Sequence, residues 1–281
     1  MAEPSSPIIL TPADFADTGQ WRLLIYITHT GMRALLRHAT DRERPLLQLL
    51  HEEWEPASAE VQMSKIENTV YAHPSLLDDY ATEVVVETPR VAWMPDTFLA
   101  DGTFGEESVY HTVFADAEGD VLTDRTGEAT ALYEFLPEFD SFMARTLPGA
   151  RLRCHLGVLV ERFLHDSAPG DTTLRIYMDM RDGEADLVAL RSGRLVSASV
   201  QPWHTAEEAA YRIFHLLNAY ATDRTDVKVS VNGTDPVSVD GVLSLTAGFC
   251  REAKPMQLSD GARRSGLPLS AALLVYKQDT I

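Results

Sequence analysis

Twice along this chain the residues spell the same succession: three short apolar runs, an amphipathic stretch, and a further apolar run. In the first half the runs are Trp21–Thr28, Met32–Ala39 and Pro45–Leu50. Each is short and apolar, rich in β-branched, aromatic or leucine residues, and reads as a strand. His29-Thr30-Gly31 makes the first turn. A helix is expected over Ser58–Tyr71, with Val61, Lys65, Asn68 and Tyr71, together with Ile66 and Val70, forming its face, and Thr82–Glu87 is the next strand. In the second half Thr173–Met180, Ala185–Leu190 and Arg194–Val200 are strands. Asp182-Gly183 supplies the positive φ of the first hairpin, and Ser192-Gly193 turns the second. Thr205 and Glu208 form a capping box that opens a helix whose packed face is Ala209, Ile213, Leu216, Leu217 and Tyr220. Val227, Val229 and Val231 then alternate in a strand ending at Asn232-Gly233. Trp21 to Thr173 is 152 residues and Thr82 to Asp226 is 144, a near-constant offset that suggests a duplicated lobe.

At 281 residues the chain reaches the length at which one core divides into two. Between the repeats, Ser108–Phe114 and Ala129–Phe135 read as strands, and Pro137–Leu147 and Leu156–His165 as helices. The turn-rich Ser167–Asp171 places the boundary, so a loose N-terminal arm is expected over 1–18, a first lobe over 19–168 and a second over 169–281.

The net charge of −18 is unevenly placed. Residues 1–150 hold 9 Lys and Arg against 26 Asp and Glu, while residues 151–281 hold 15 against 16. So acidic a first half repels nucleic acid and anionic lipid, and it repels free nucleotide unless a cation or backbone amides compensate. No apolar run approaches the ~20 residues of a membrane span. The N-terminal MAEPSSPIIL lacks a basic and an apolar signal region, so a cytoplasmic location is expected. Cys154 and Cys250 make neither a disulfide framework nor a CxxC pair and are expected as free thiols.

The element order resembles the actin-like ATPase superfamily. More narrowly, residues of about 20–260 resemble an uncharacterised bacterial family, domain of unknown function 3822, whose fold is actin-like. The stretches that carry the resemblance are Val84–Leu99 and Leu174–Leu217. It implies an α/β fold of two ribonuclease H-like lobes, each a mixed sheet of order βββαβ with flanking helices. It also implies a place to look for ATP: between the lobes, against the first hairpin of each and a Gly-rich turn in the second.

Three stretches test that implication. Ile27-Thr28-His29-Thr30-Gly31 has hydroxyls and Gly31, but Thr28 stands where a carboxylate is expected, and a neutral hydroxyl does not replace an anionic Mg²⁺ ligand. Asp179-Met180-Arg181-Asp182-Gly183 has the carboxylate, but Met180 and Arg181 stand where glycines are expected. Val231-Asn232-Gly233 offers one glycine of an expected two. The acidic Asp179, Asp182, Glu184 and Asp186 do not match a calcium loop, because Arg181 and Gly183 fall at ligand positions.

Nine histidines, at 29, 38, 51, 73, 111, 155, 165, 204 and 215, show no HxH or HExxH spacing, and no Walker, GxSxG or GxGxxG motif occurs. Trp203, before the capped helix, either packs the helix start or anchors a partner. The expected function is a non-catalytic binding or scaffold protein with a degenerate actin-like fold; the alternative is an active ATPase or small-molecule kinase with divergent phosphate loops. No catalytic, cofactor-binding or metal residue is assigned and no cofactor is expected. The expected partner is a protein of unknown identity or a second copy of the chain.

Overall fold

A computed structural model describes residues 17–41, 46–100, 105–168, 170–220, 223 and 226–276. The expected arm over 1–18 falls almost wholly outside the described residues. The elements run β1 (Trp21–Thr28), β2 (Gly31–His38), β3 (Leu47–Glu53), α1 (Ala59–Ala72), β4 (Ala81–Val86), β5 (Val91–Pro95), α2 (Asp96–Ala100), α3 (Glu106–Val113), β6 (Val121–Thr126), β7 (Ala129–Glu134), α4 (Phe139–Thr146), β8 (Arg151–Cys154) and α5 (His155–His165). They continue with β9 (Leu174–Met180), β10 (Glu184–Arg191), β11 (Arg194–Pro202), α6 (Ala206–Tyr220), β12 (Val227–Gly233), α7 (Pro236–Thr246), β13 (Glu252–Pro255), α8 (Asp260–Arg264) and α9 (Leu269–Val275).

The sequence suggests one cut, between 168 and 169. By compactness the chain divides discontinuously, into one unit of residues 1–87, 118–120 and 135–153 and another of 88–117, 121–134 and 154–281.

The first unit is built on a sheet of order β3-β2-β1-β4-β8. Strand β1 pairs antiparallel with β2 and parallel with β4. Five consecutive residues, Leu23–Ile27, are buried, as expected of a central strand covered on both faces. Helix α1 buries Gln62, Met63, Ile66, Thr69 and Val70. Val61 and Tyr71, expected on its packed face, are exposed. The polar members of the true face explain the misreading, because each has a partner inside. Gln62 donates to the Ala57 carbonyl and meets the His29 ring, while the Thr69 hydroxyl donates to Glu52.

The second unit holds a sheet of order β11-β10-β9-β12-β13 and a small sheet β5-β7-β6. Counting only its own strands in chain order, each five-stranded sheet therefore runs third, second, first, fourth, fifth. Along β9, Leu174, Ile176, Met178 and Met180 enter a core with Ala209, Ala210 and Ile213 of α6 and Val239, Val242 and Leu243 of α7. The intervening Tyr177 stacks on Phe163 of α5, with ring centroids 4.1 Å apart, so α5 covers the opposite face. Half of the capping box forms as expected, with Thr205 Oγ1 accepting from the Glu208 amide, while Glu208 Oε2 accepts from the His204 amide, one residue before the cap. Tyr220, expected on the packed face of α6, is exposed.

One expected strand is a helix. Ser108–Phe114 belongs to α3, where Glu106 and Glu107 lie in the first turn and Tyr110 is fully buried. Val109, Tyr110, Val113 and Phe114 follow the 3–4 spacing of a helix rather than the alternation of a strand.

Candidate functional site

The carboxyl ends of the central strands, where open α/β sheets place their ligands, are the hairpins β1–β2 and β9–β10.

In the second unit, strand pairing puts Asp186 of β10 directly opposite Asp179 of β9, and Asn232 of β12 beside Asp179. Paired residues share a face, so these three side chains form a polar row across three strands, on the side covered by α5. All but Asn232 are buried. Two facing carboxylates repel, and the chain supplies counter-charges. Arg181 Nη2 donates to Asp186 Oδ1 at 2.7 Å, and His155 Nε2, from the first turn of α5, donates to the same oxygen at 3.0 Å. Asn232 Nδ2 donates to Asp179 Oδ1 at 2.6 Å.

The side chains of His155 and Asp186 are 0% and 2% exposed. Burial disfavours a charged His155, but the Asp186 carboxylate, followed by the Cys154 sulfur 3.8 Å from Nδ1, outweighs it and raises the imidazole pKa to about 10. Burial likewise disfavours a charged Asp186, and His155 and Arg181 together hold its pKa below the usual carboxylate range. At neutral pH the cluster is therefore an imidazolium and a guanidinium on one carboxylate.

The amide of Cys154, the residue that caps the start of α5, is also occupied internally. The Cys154 N–H donates to Asp124 Oδ2 of β6 at 3.2 Å. A helix N-terminus attracts negative charge, and a buried carboxylate of the same chain provides it. Gly157 permits this, since a methyl group there would collide with the Asp124 carboxyl.

The remaining expected positions have internal uses too. A Cβ on Gly233 would lie 2.9 Å from Val239 and 3.0 Å from Met180, so this glycine serves the packing of β12 on β9. Gly183 has φ +71°, as the Asp-Gly turn requires. In the first unit a Cβ on Gly31 would lie 2.7 Å from the Glu52 carbonyl oxygen, so Gly31 lets β2 approach β3. Thr28 Oγ1 accepts from the Thr30 amide, and the His29 ring lies 3.2 Å from Gln62 Oε1. Trp203 is partly buried and packs on the core of β9 and α6. Its indole N–H is shared between the Arg181 and Glu184 carbonyls.

Sequence reasoning did not foresee the role of His155 or Asp124. The pairing of Asp179 with Asp186 was within reach, since both lie three residues from the Asp-Gly tip. Of the nine histidines, only His155 is fully buried among the described residues, and among these no group of three or more His, Cys, Asp and Glu is placed to hold a metal ion. Among the described residues no helix is long and apolar enough to cross a membrane.

The architecture is similar to that of a Bacteroides thetaiotaomicron protein described as having an actin-like ATPase fold and unknown function. The TM-score is 0.73 at 15% identity, covering 94% of this chain and 99% of that one. More distant likenesses include the PilM-PilN type IV pilus biogenesis complex (TM-score 0.47, 12% identity, 92% and 98% covered). Another is the ethanolamine utilization protein EutJ from Carboxydothermus hydrogenoformans (TM-score 0.45, 11% identity, 95% and 91% covered). No curated protein matches the sequence. The fold is thus α/β and actin-like, with mixed five-stranded sheets, as the order of elements implied. The model of the family described as protein of unknown function (DUF3822) matches residues 12–243, and the chain belongs to that family.

Proposed function

We propose that this chain is a cytoplasmic, non-catalytic binding or scaffold protein that keeps the actin-like fold after its phosphate hairpins have been turned to internal contacts. The observation that carries the reading is Arg181. It is a cation at the β9–β10 tip, where a phosphate would call for positive charge, and it is bound with His155 to the buried Asp186. Supporting it, Asp179 is bonded to Asn232, Met180 takes the space a glycine would leave, and Asp124 accepts from the Cys154 amide just before α5. These residues do not fit a metal-bound nucleoside triphosphate, and no reaction step is assigned to them.

The partner is proposed to be a protein. Gly241 of α7 packs on Ala206 of α6, and Phe249 just beyond α7 meets the Phe214 ring at 4.9 Å. Both contacts have the same spacing in sequence, so α6 and α7 run side by side in the same direction. Tyr211, Leu245 and Phe249 stand exposed along this pair, the kind of apolar surface that proteins cover with other proteins. The matching strand order of the two sheets supports an origin by duplication.

Isothermal titration with Mg-ATP tests the reading. No heat of binding is expected at micromolar to millimolar nucleotide. Saturable micromolar binding, or ATP turnover lost in Asp179→Ala, overturns it in favour of an active ATPase or small-molecule kinase.

A further inference from the structure

Both hairpin tips are tied down by a tryptophan that leaves the third strand of its sheet. In the first unit this is Trp54, just after β3. Its backbone N–H donates to the Thr30 carbonyl at 2.9 Å and its indole N–H to the His29 carbonyl at 3.0 Å. In the second unit it is Trp203, just after β11. Its backbone N–H donates to the Gly183 carbonyl at 3.1 Å, and its indole N–H reaches the Arg181 and Glu184 carbonyls, both at 2.9 Å. Thr30 and Gly183 are each the second residue of a two-residue tip: Thr28 pairs with Gly31, and the Arg181 amide donates to the Glu184 carbonyl. Tip carbonyls lie beyond the last ladder pair and ordinarily turn to water. Here one residue supplies two donors: both to tip carbonyls in the first unit, and one to the tip and one to the carbonyls of the pair that flanks it in the second.

We propose that Trp54 and Trp203 are matched latches that fix the shape of the two hairpin tips, and hence of the surface any ligand or partner meets at the carboxyl ends of β1 and β9. The match also aligns the hairpins residue by residue. With His29-Thr30 set on Asp182-Gly183, the counterpart of Asp179 is Tyr26 and that of Asp186 is Arg33, and Tyr26 and Arg33 are themselves directly paired. Thr28, where the sequence suggested a missing carboxylate, then matches Arg181, and the counterpart of the Asp179 carboxylate lies two residues earlier, at Tyr26. Each counterpart is tied to the end of the neighbouring parallel strand. Asp179 accepts from Asn232 of β12, and the Tyr26 hydroxyl donates to Glu87 just beyond β4 at 2.5 Å. The second partners are not in register: Asn232 pairs directly with Asp179, whereas Glu87 lies two residues past Val85, the pair of Tyr26.

The test is Trp54→Phe and Trp203→Phe in the full chain, which keep an aromatic ring and remove the indole N–H. Amide hydrogen exchange over residues 28–31 and 181–184 is expected to rise about tenfold in the matching variant, the effect of one lost hydrogen bond. Protection in β4 and β12 should be unchanged. Unchanged exchange at both tips, or an equal loss throughout the unit as for a purely structural ring, overturns the proposal. In the unmodified protein the indole N–H resonances of Trp54 and Trp203 should exchange slowly with solvent, and rapid exchange of both overturns it without any variant. These measurements use no nucleotide, so they stand or fall separately from the Mg-ATP titration.

Discussion

His155→Gln is expected to remove a defined part of the chain's pH-dependent stability. The imidazole sits with Asp186 on one side and the Cys154 sulfur on the other, and Arg181 shares the same Asp186 oxygen. Its folded pKa of about 10 lies above the ordinary value of ~6.5 for a free histidine. A group whose pKa is raised on folding stabilises fully below its unfolded pKa, and the contribution is lost as pH rises toward the folded pKa. The window is therefore about pH 6.5 to 10, and each pH unit inside it removes up to ~1.4 kcal/mol. Asp186, held low, acts in the opposite sense, losing its contribution only in strong acid, and does not disturb this window. Urea unfolding at pH 7 and pH 9 should show the wild type losing about 3 kcal/mol more over that interval than the glutamine variant. At pH 7 the variant should itself be less stable by about 3 kcal/mol, since it leaves a buried carboxylate with one cation in place of two. Other titrating groups are common to both proteins and cancel in the difference. If both proteins lose the same stability between pH 7 and pH 9, His155 is not a buried imidazolium and the account of the cluster fails.

Gly157→Ala should lower stability by about 1–3 kcal/mol, because its methyl group drives the Asp124 carboxyl off the Cys154 amide that precedes α5. Gly248→Ala, where no atom lies within 4 Å of the added carbon, serves as the control and should stay within about 0.5 kcal/mol in the same thermal melts; equal effects at both sites refute the packing argument. Glu138 holds φ +66° just before α4, so Glu138→Gly should raise stability by about 1 kcal/mol in chemical denaturation, and a loss would show that the side chain contributes more than its backbone strain removes.

The elements legible in the sequence were those whose burial is one-sided or complete over a long run. Strand β1 announces itself because six of its eight residues are buried, and the capped α6 because its buried Ala209, Ala210, Ile213 and Leu216 repeat at helical spacing. Helix α3 was misread because a stretch with one fully buried side chain, Tyr110, gives a weak period. The four-residue edge strands β8 and β13 are held by pairing with a neighbour that sequence spacing does not reveal. The site divides in the same way. The Asp-Gly tip fixes which residues of β9 and β10 face each other, so Asp179 and Asp186 could be brought together from the turn outward. His155 reaches them from another element, 31 positions away from Asp186, and its role follows from the packing of α5 alone. The hairpin correspondence was misjudged by two residues because the tip, not the nearest hydroxyl or carboxylate, sets the register.

Glycines invite the ligand reading most strongly, and Gly31, Gly157, Gly183 and Gly233 each have a use within the protein. A glycine kept for close approach of a phosphate leaves open space at its missing Cβ when the ligand is away. At Gly31 that space is filled by the Glu52 backbone, at Gly233 by Met180 and Val239, and at Gly157 by Asp124. Gly183 does face open space, but its left-handed φ already demands glycine. Turn geometry and the close packing of strands and helix therefore account for these four glycines without a phosphate. The polar groups follow the same rule, with cations and anions matched inside the second unit around Asp186. Loops satisfied in this way keep the order of strands and helices intact whether or not any nucleotide is bound.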